Sequence, residues 1–219
     1  MLFRSTRTNP QYPQWQGNDI TTNPGSNKQA AAEIDRFAPV NSNKGVKDCW
    51  SDHYAIIKAA NFIIQNASKT PTDAASLNQA IGQAKFWRAY AYFTLVRLFG
   101  DIPLTLTNEN DDFTMKPSSV EQVYEQIVAD LTSDECEGLP ASYKNAPAFL
   151  NGVNVYVTKQ AVEATRAAVY MAMAGWPLEK GTAYYKKAAD EAKKVIEGER
   201  NGTYDIRMDE NFYDVYAMS

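Results

Sequence analysis

The 219-residue chain is 44% hydrophobic and 22% charged, an ordinary globular composition that excludes disorder as its main state. It carries 22 Lys and Arg against 26 Asp and Glu, and a net charge of −4 is the wrong sign for gripping a phosphate backbone, so nucleic acid is excluded as the main partner. No stretch reaches the roughly 18 consecutive apolar residues of a membrane-spanning helix.

The start, Met1 to Arg7, carries two arginines without an apolar run or small-residue cleavage site behind them, so no export signal is read there. Residues 1–45 form a polar segment rich in Asn, Thr, Pro and Gly that reads as irregular loops, with one short helix over Ala30 to Phe37. After Gly45, Trp50, Tyr54, Ile57, Asn61 and Ile64 recur at spacings of 4, 3, 4 and 3, one face of a helix. A second long helix is expected from a Thr72 cap through Leu77, Ile81, Phe86, Tyr90, Phe93 and Val96, stopped by Gly100 and Pro103. Its aromatic and small residues exceed what one apolar stripe needs, which predicts a central helix with neighbours on several sides.

A third helix begins at Ser118 or Ser119, because Ser118 with Glu121 and Ser119 with Gln122 both fit a capping box. It continues through Val120, Tyr124, Ile127 and Leu131, and Leu139-Pro140 closes that unit. A polar and aromatic connection, Ala141 to Val157, leads to an alanine-rich helix capped by Thr158 and broken at Trp176-Pro177. The last helix carries Tyr185, Ala188, Ala192 and Val195 and is expected to end at Gly198. These signals predict an all-α chain of antiparallel helix pairs, tetratricopeptide-like, with long irregular N-terminal and inter-helix loops and a helical scaffold over residues 46–219. The aromatic segment after Gly202, with Tyr204, Ile206, Phe212, Tyr213, Val215 and Tyr216, needs a partner surface, so the chain is expected to be a fragment of a longer protein.

Two stretches together resemble the SusD-like family, also called RagB/SusD, of bacterial surface nutrient-binding lipoproteins. One is Trp50-x-x-x-Tyr54-x-x-Ile57-x-x-Ala60-Asn61-x-x-Ile64. The other runs from Gly82-Gln83-Ala84-Lys85-Phe86-Trp87-Arg88-Ala89-Tyr90 to Phe99-Gly100-Asp101-Ile102-Pro103-Leu104. Val123-Tyr124, Asp130-Leu131, Leu139-Pro140, Val157-Thr158-Lys159 and Tyr184-Tyr185 follow in the family's order. The resemblance implies the part of the family that precedes its C-terminal, ligand-contributing region. It further implies a non-enzymatic scaffold on the outer membrane's external face that captures an oligosaccharide or polysaccharide and hands it to a SusC-like TonB-dependent transporter. Membrane association would come through a lipid anchor in the full-length precursor; neither Cys49 nor Cys136 lies in a lipobox, so neither is carried over as that anchor.

The conspicuous motif residues read as scaffold: Arg88 and Arg97 pairing with helix-end carbonyls or a carboxylate such as Asp101 or Asp130, Asn61 bonding backbone, Trp50 and Trp87 in the core. His53, the lone histidine, has no Asp, Cys or His neighbourhood for a metal or a triad, and Asp111-Asp112 and Asp134-Glu135 read as solvated acids. Asn108 to Asp112 lacks the Gly and Glu of a calcium loop, so neither metal nor cofactor is expected. Cys49 and Cys136 allow one disulfide or none, and spacing leaves that open.

Sugar recognition needs flat aromatic faces beside amides, carboxylates or cations that satisfy hydroxyls. The N-terminal segment supplies Tyr12, Trp15, Asn18, Asp19, Lys28, Phe37, Asn41 and Asn43, the candidate glycan contacts. By resemblance, Asp19 falls at the family's frequent acidic position, and Phe37 stands where some glycan-binding members place tryptophan. Trp176 and Tyr156 are lesser candidates in other loops. The alternative is a helical-repeat adaptor holding a peptide or protein on a concave helical face.

Overall fold

The computed structural model describes residues 29–108, 114–144, 149–150, 153–154 and 156–207. Helix α1 is Gln29–Asp35 and α2 is Lys44–Asn66, followed by one 3₁₀ turn, Ala67–Lys69. Helix α3 is Ala74–Phe99, α4 Val120–Leu131, and α5 a single turn, Asp134–Glu137. A two-residue antiparallel hairpin, β1 Phe149–Leu150 and β2 Val153–Asn154, precedes α6, Lys159–Ala174, and α7, Thr182–Arg200. The fold is all-α and tetratricopeptide-like, as the helical spacing predicts.

Helix α3 is the central element. It packs against α2, α4, α5 and α6, and Ala84, Phe86, Ala89, Ala91, Tyr92, Phe93, Leu95 and Val96 are all buried. Ala and Gly let neighbours approach closely: a Cβ on Gly82 would lie 2.5 Å from the Glu135 carbonyl oxygen of α5. Gly100 ends the helix at φ 72, and its N–H donates to the Val96 carbonyl at 3.0 Å. Trp50 and Trp87 are half-buried and pack on the edge of this core.

Several helix boundaries differ from the sequence expectation. Asp73, not Thr72, caps α3, accepting from the Ser76 N–H at 2.8 Å and the Ser76 hydroxyl at 2.6 Å; a carboxylate is the better acceptor for the first turn. Of the two possible capping boxes, Ser119 with Gln122 is used, and Glu121 is left to pair with Lys180. Thr158 occupies the cap position of α6 without donating or accepting a side-chain capping bond. Gly198 does not end α7 but lies inside it, buried, because the Tyr204 ring folds back onto it: a Cβ there would lie 2.2 Å from the ring. Helix α1 ends at Asp35, short of Phe37.

Two buried arginines join the helices. Arg88 of α3 donates through Nε and Nη2 to Asp130 of α4 at 2.8 and 2.6 Å, and through Nη1 to Asn61 of α2 at 2.9 Å. Asn61 in turn donates to the Thr105 carbonyl at 3.0 Å, so its role is interhelical bonding, as expected. Arg166 of α6 donates to the Leu131 carbonyl at 3.1 Å, to Glu191 of α7 at 2.6 Å and to Glu137 of α5. Arg97 donates to the Phe93 carbonyl at 3.2 Å and lies over that ring. Cys49 and Cys136 are free and buried, and burial pushes both thiols up to about 11.

Tyr54 Oη donates to the Pro103 carbonyl at 2.7 Å and the Trp50 and Phe99 rings lie 5.1 Å apart, so α2 and α3 run antiparallel. Asp101 accepts from the Val120 N–H at 2.9 Å, Ile102 bridges Ser118, and Glu121 pairs with Lys180 between α6 and α7. These contacts bring the N-termini of α2, α4 and α7 and the C-termini of α3 and α6 to one end of the array.

Candidate functional site

The turn joining α1 to α2 sits at that end. The Phe37 N–H donates to the Ile34 carbonyl at 3.0 Å and the Ala38 N–H to the Glu33 carbonyl at 2.9 Å, the paired bonds of a Schellman ending. The left-handed residue of such an ending is usually glycine; here it is Phe37, at φ 57. A residue with a Cβ pays about 1–2 kcal/mol there. Burial does not offset that cost, because Phe37 is 68% exposed.

Asn43 holds the turn from beneath. Its Oδ1 accepts from the Gly45 and Val46 N–H groups at 3.0 and 3.2 Å, capping α2, while Nδ2 donates to the Ala30 carbonyl at 3.0 Å and to Glu33 at 2.7 Å. Glu33 also accepts from the Val40 N–H at 3.3 Å and from the Gln29 amide at 2.9 Å. The Asn43 amide, helped by the Val40 N–H and the Gln29 amide, holds the Glu33 carboxyl below its usual range against the opposing effect of desolvation. All the hydrogen-bonding positions of Asn43 are thus filled by the protein itself. Its chemistry here is positioning: it fixes the turn that displays Phe37 and the exposed Asn41.

The structure therefore brings Phe37, Asn41 and Asn43 together on one turn, two facing solvent and one buried. Tyr12, Trp15, Asn18, Asp19 and Lys28 lie outside the described residues. Sequence reasoning missed Glu33, whose only signal is its position one helical turn after Gln29. The capping role of Asn43 had a clearer one, an Asn just ahead of the first residues of a periodic helix.

Elsewhere the buried titratable groups named in the sequence are engaged by the fold. His53 is buried, with Nδ1 2.7 Å from the Cys49 carbonyl oxygen. Glu135 pairs with Lys85 at 2.6 Å, and Glu163 accepts from the Tyr204 hydroxyl at 2.6 Å. Among the described residues no three His, Cys, Asp or Glu side chains converge as metal ligands would. An open cleft of about 460 Å³ between the start of α3 and α5 is lined by Asn78, Gln79, Asp134 and Glu135, far from the Phe37 turn. Of the lesser aromatic candidates, Tyr156 is half-exposed against Tyr143, their rings 5.0 Å apart, and Trp176 is 85% exposed.

Comparison with known proteins follows the same lines. Residues 5–171 match the SusD-like family described as starch-binding and associating with the outer membrane. A SusD-like protein P2 of Formosa agariphila is 33% identical over 189 residues, 84% of this chain and 33% of that protein. A SusD superfamily protein of Parabacteroides distasonis is 29% identical, with a TM-score of 0.69 over 82% of this chain and 36% of the other. A further solved structure, containing a xylogluco-oligosaccharide, shares the fold at 24% identity with a TM-score of 0.69, covering 84% of this chain and 35% of that one. The chain spans about a third of the length of these proteins.

Proposed function

The chain belongs to the SusD-like family, and on that premise we propose that it is the helical part of a non-enzymatic glycan-capture protein at the outer-membrane surface. The observation that carries this reading is Phe37, an aromatic ring held 68% exposed on a left-handed residue of a hydrogen-bonded turn. A ring fixed in water at a backbone cost is a preformed platform. The apolar face of a pyranose ring stacks on it, and the Asn41 amide beside it offers one acceptor and two donors to hydroxyls. The outlying candidates Tyr12, Trp15, Asn18, Asp19 and Lys28 belong to the same proposed contact set.

No bond is broken in this reading. The buried carboxylates Asp130, Glu163 and Glu191 already accept from Arg88, Tyr204 and Arg166, which leaves them no part in acid–base work. The outer-membrane association in the family's description supports the location. An oligosaccharide captured there is too polar to cross a bilayer, so the reading requires an energised pore as partner, a SusC-like TonB-dependent transporter. The xylogluco-oligosaccharide in a fold neighbour supports a glycan as the ligand class.

The test is retardation of the whole protein in native gels containing xyloglucan, soluble starch or other polysaccharides, with peptide mixtures run in parallel by calorimetry. Burying much of an aromatic ring contributes about 1–2 kcal/mol, so Phe37→Ala should weaken the retarding interaction roughly 5- to 30-fold. Heat released by peptides, with no retardation in any glycan, would move the ligand to peptides. New reducing ends appearing in a polysaccharide incubated with the protein would make it an enzyme.

A further inference from the structure

Among the described residues the most exposed large hydrophobic side chain is not Phe37 but Trp176, at 85%. Trp176 lies in the loop of residues 175–181 between α6 and α7. That loop is closed on itself: the Glu179 N–H donates to the Gly175 carbonyl at 2.7 Å, the Lys180 N–H to Met173 at 3.0 Å and the Gly181 N–H to Ala174 at 3.0 Å. Glu179 sits at φ 49, and it and Phe37 are the two non-glycine residues with positive φ among those described. Among the described residues, the two most exposed large rings thus stand on the two turns that carry this backbone cost. Conformations of that kind persist only when the surroundings hold them, and they gather at binding sites.

Both turns lie at the same end of the array. From Phe37 the path runs through Asn43 to the start of α2, across Trp50 and Phe99 to the end of α3, through Asp101 to the start of α4, and through the Glu121–Lys180 pair to the Trp176 loop. Helices packed 8–10 Å apart put the two rings about 20–40 Å from one another. The helix ends between them carry Lys44, Asp48, Asp101, Glu121 and Lys180, with Val40 and Leu98 as isolated exposed apolar side chains, rather than a continuous apolar surface. A protein interface clusters its anchor residues at a dry centre. Single rings separated by polar surface fit a different partner, a long hydroxylated polymer that offers an apolar face at intervals.

We infer that the Trp176 loop is a second glycan subsite, and that Phe37 and Trp176 together hold one polysaccharide chain across the end of the helical array. This rests on the glycan reading above and extends it from a single platform to a bipartite one. The Tyr185 hydroxyl lies next to Gly175 at the base of the loop, and Lys180 of the same loop pairs with Glu121, so polar groups flank the turn that carries the indole. The ligand class that follows is a polymer long enough to reach both rings. An oligosaccharide of two or three sugars engages one ring and gains nothing from the other, while a bridging chain binds the second ring at high effective concentration.

The experiment compares xyloglucan and soluble starch with their short oligosaccharides, by native-gel retardation and calorimetry, on the whole protein and its Trp176→Ala, Trp176→Phe and Phe37→Ala variants. Circular dichroism checks that each remains folded, which exposure of both rings favours. Trp176→Ala should weaken polymer binding at least tenfold more than oligosaccharide binding, and Trp176→Phe should restore most of the loss. Equal losses for polymer and oligosaccharide would overturn the bipartite site. Unchanged polymer binding in Trp176→Ala, with Phe37→Ala still defective, would overturn the second subsite while leaving glycan capture standing; if that variant instead loses a membrane protein partner, the ring belongs to a protein interface. Failure of the unaltered protein to bind any glycan would end both readings at once.

Discussion

Phenylalanine at the left-handed position that ends α1 separates stability from display. Glycine there removes the Cβ clash, worth about 1–2 kcal/mol, and adds back roughly 0.5–1 kcal/mol of unfolded-chain entropy. Phe37→Gly is therefore expected to leave urea stability unchanged or raise it by up to about 1.5 kcal/mol, while glycan binding falls as far as in Phe37→Ala. A stability loss above about 1 kcal/mol in the urea midpoint would mean that the ring packs for the fold. Phe37 as a candidate aromatic was legible in the sequence; its backbone angle was not, because the angle is imposed by Glu33 and Asn43, residues ten apart that meet only once α2 has docked on α1. The same holds for Asn43, whose residue type suits a sugar hydroxyl and a helix cap equally, so only the tertiary contact decides between them.

Among elements, helical spacing located the five long and middle-length helices, because each hides one face and α3 buries most of its surface between Gly82 and Val96. Their ends were less legible wherever neighbouring residues compete for one job. Thr72 and Asp73 both offer a capping oxygen, and Gly198 looks like a helix stop until Tyr204, six residues on, proves to need the space a side chain would fill. The Arg88 node is the element-scale test. Asn61 and Asp130 occupy its planar donors from two other helices, and all three residues are buried. Arg88→Ala leaves the Asp130 carboxylate buried without its cation and should cost about 3–5 kcal/mol in the denaturation midpoint. Replacing Arg88 with Met and Asp130 with Leu together should recover most of that loss, since an apolar pair of similar volume carries no desolvation penalty. A double variant as unstable as Arg88→Ala would show that geometry rather than charge burial dominates.

At the scale of the molecule, several carboxylates are held below their ordinary range: Glu33 by the Asn43 amide, Asp73 by Ser76, and Glu135 and Glu137 by Lys85 and Arg166, which outweigh the upward pull of burial. A lowered folded value means that the unfolded chain binds more protons in acid, so this stability is present above the unfolded value and lost as the pH falls through the folded one. The urea midpoint should hold from pH 7 to about 5 and drop once the pH passes below the ordinary Glu value of 4.5. A midpoint unchanged between pH 5 and pH 3 would contradict this. Linear helical arrays commonly fray from one end, because each repeat touches only its neighbours. The guanidinium of Arg88 alters that behaviour: it is satisfied only while α2, α3 and α4 are all in place, so separating α3 from α4 strands a buried charge and losing α2 leaves one of its donors unpaired. Amide exchange in these helices should then proceed through one shared, rare opening rather than by progressive loss from the ends, while the turns bearing Phe37 and Trp176 exchange independently. The protein carries its preformed display turns on a scaffold that opens all at once or not at all.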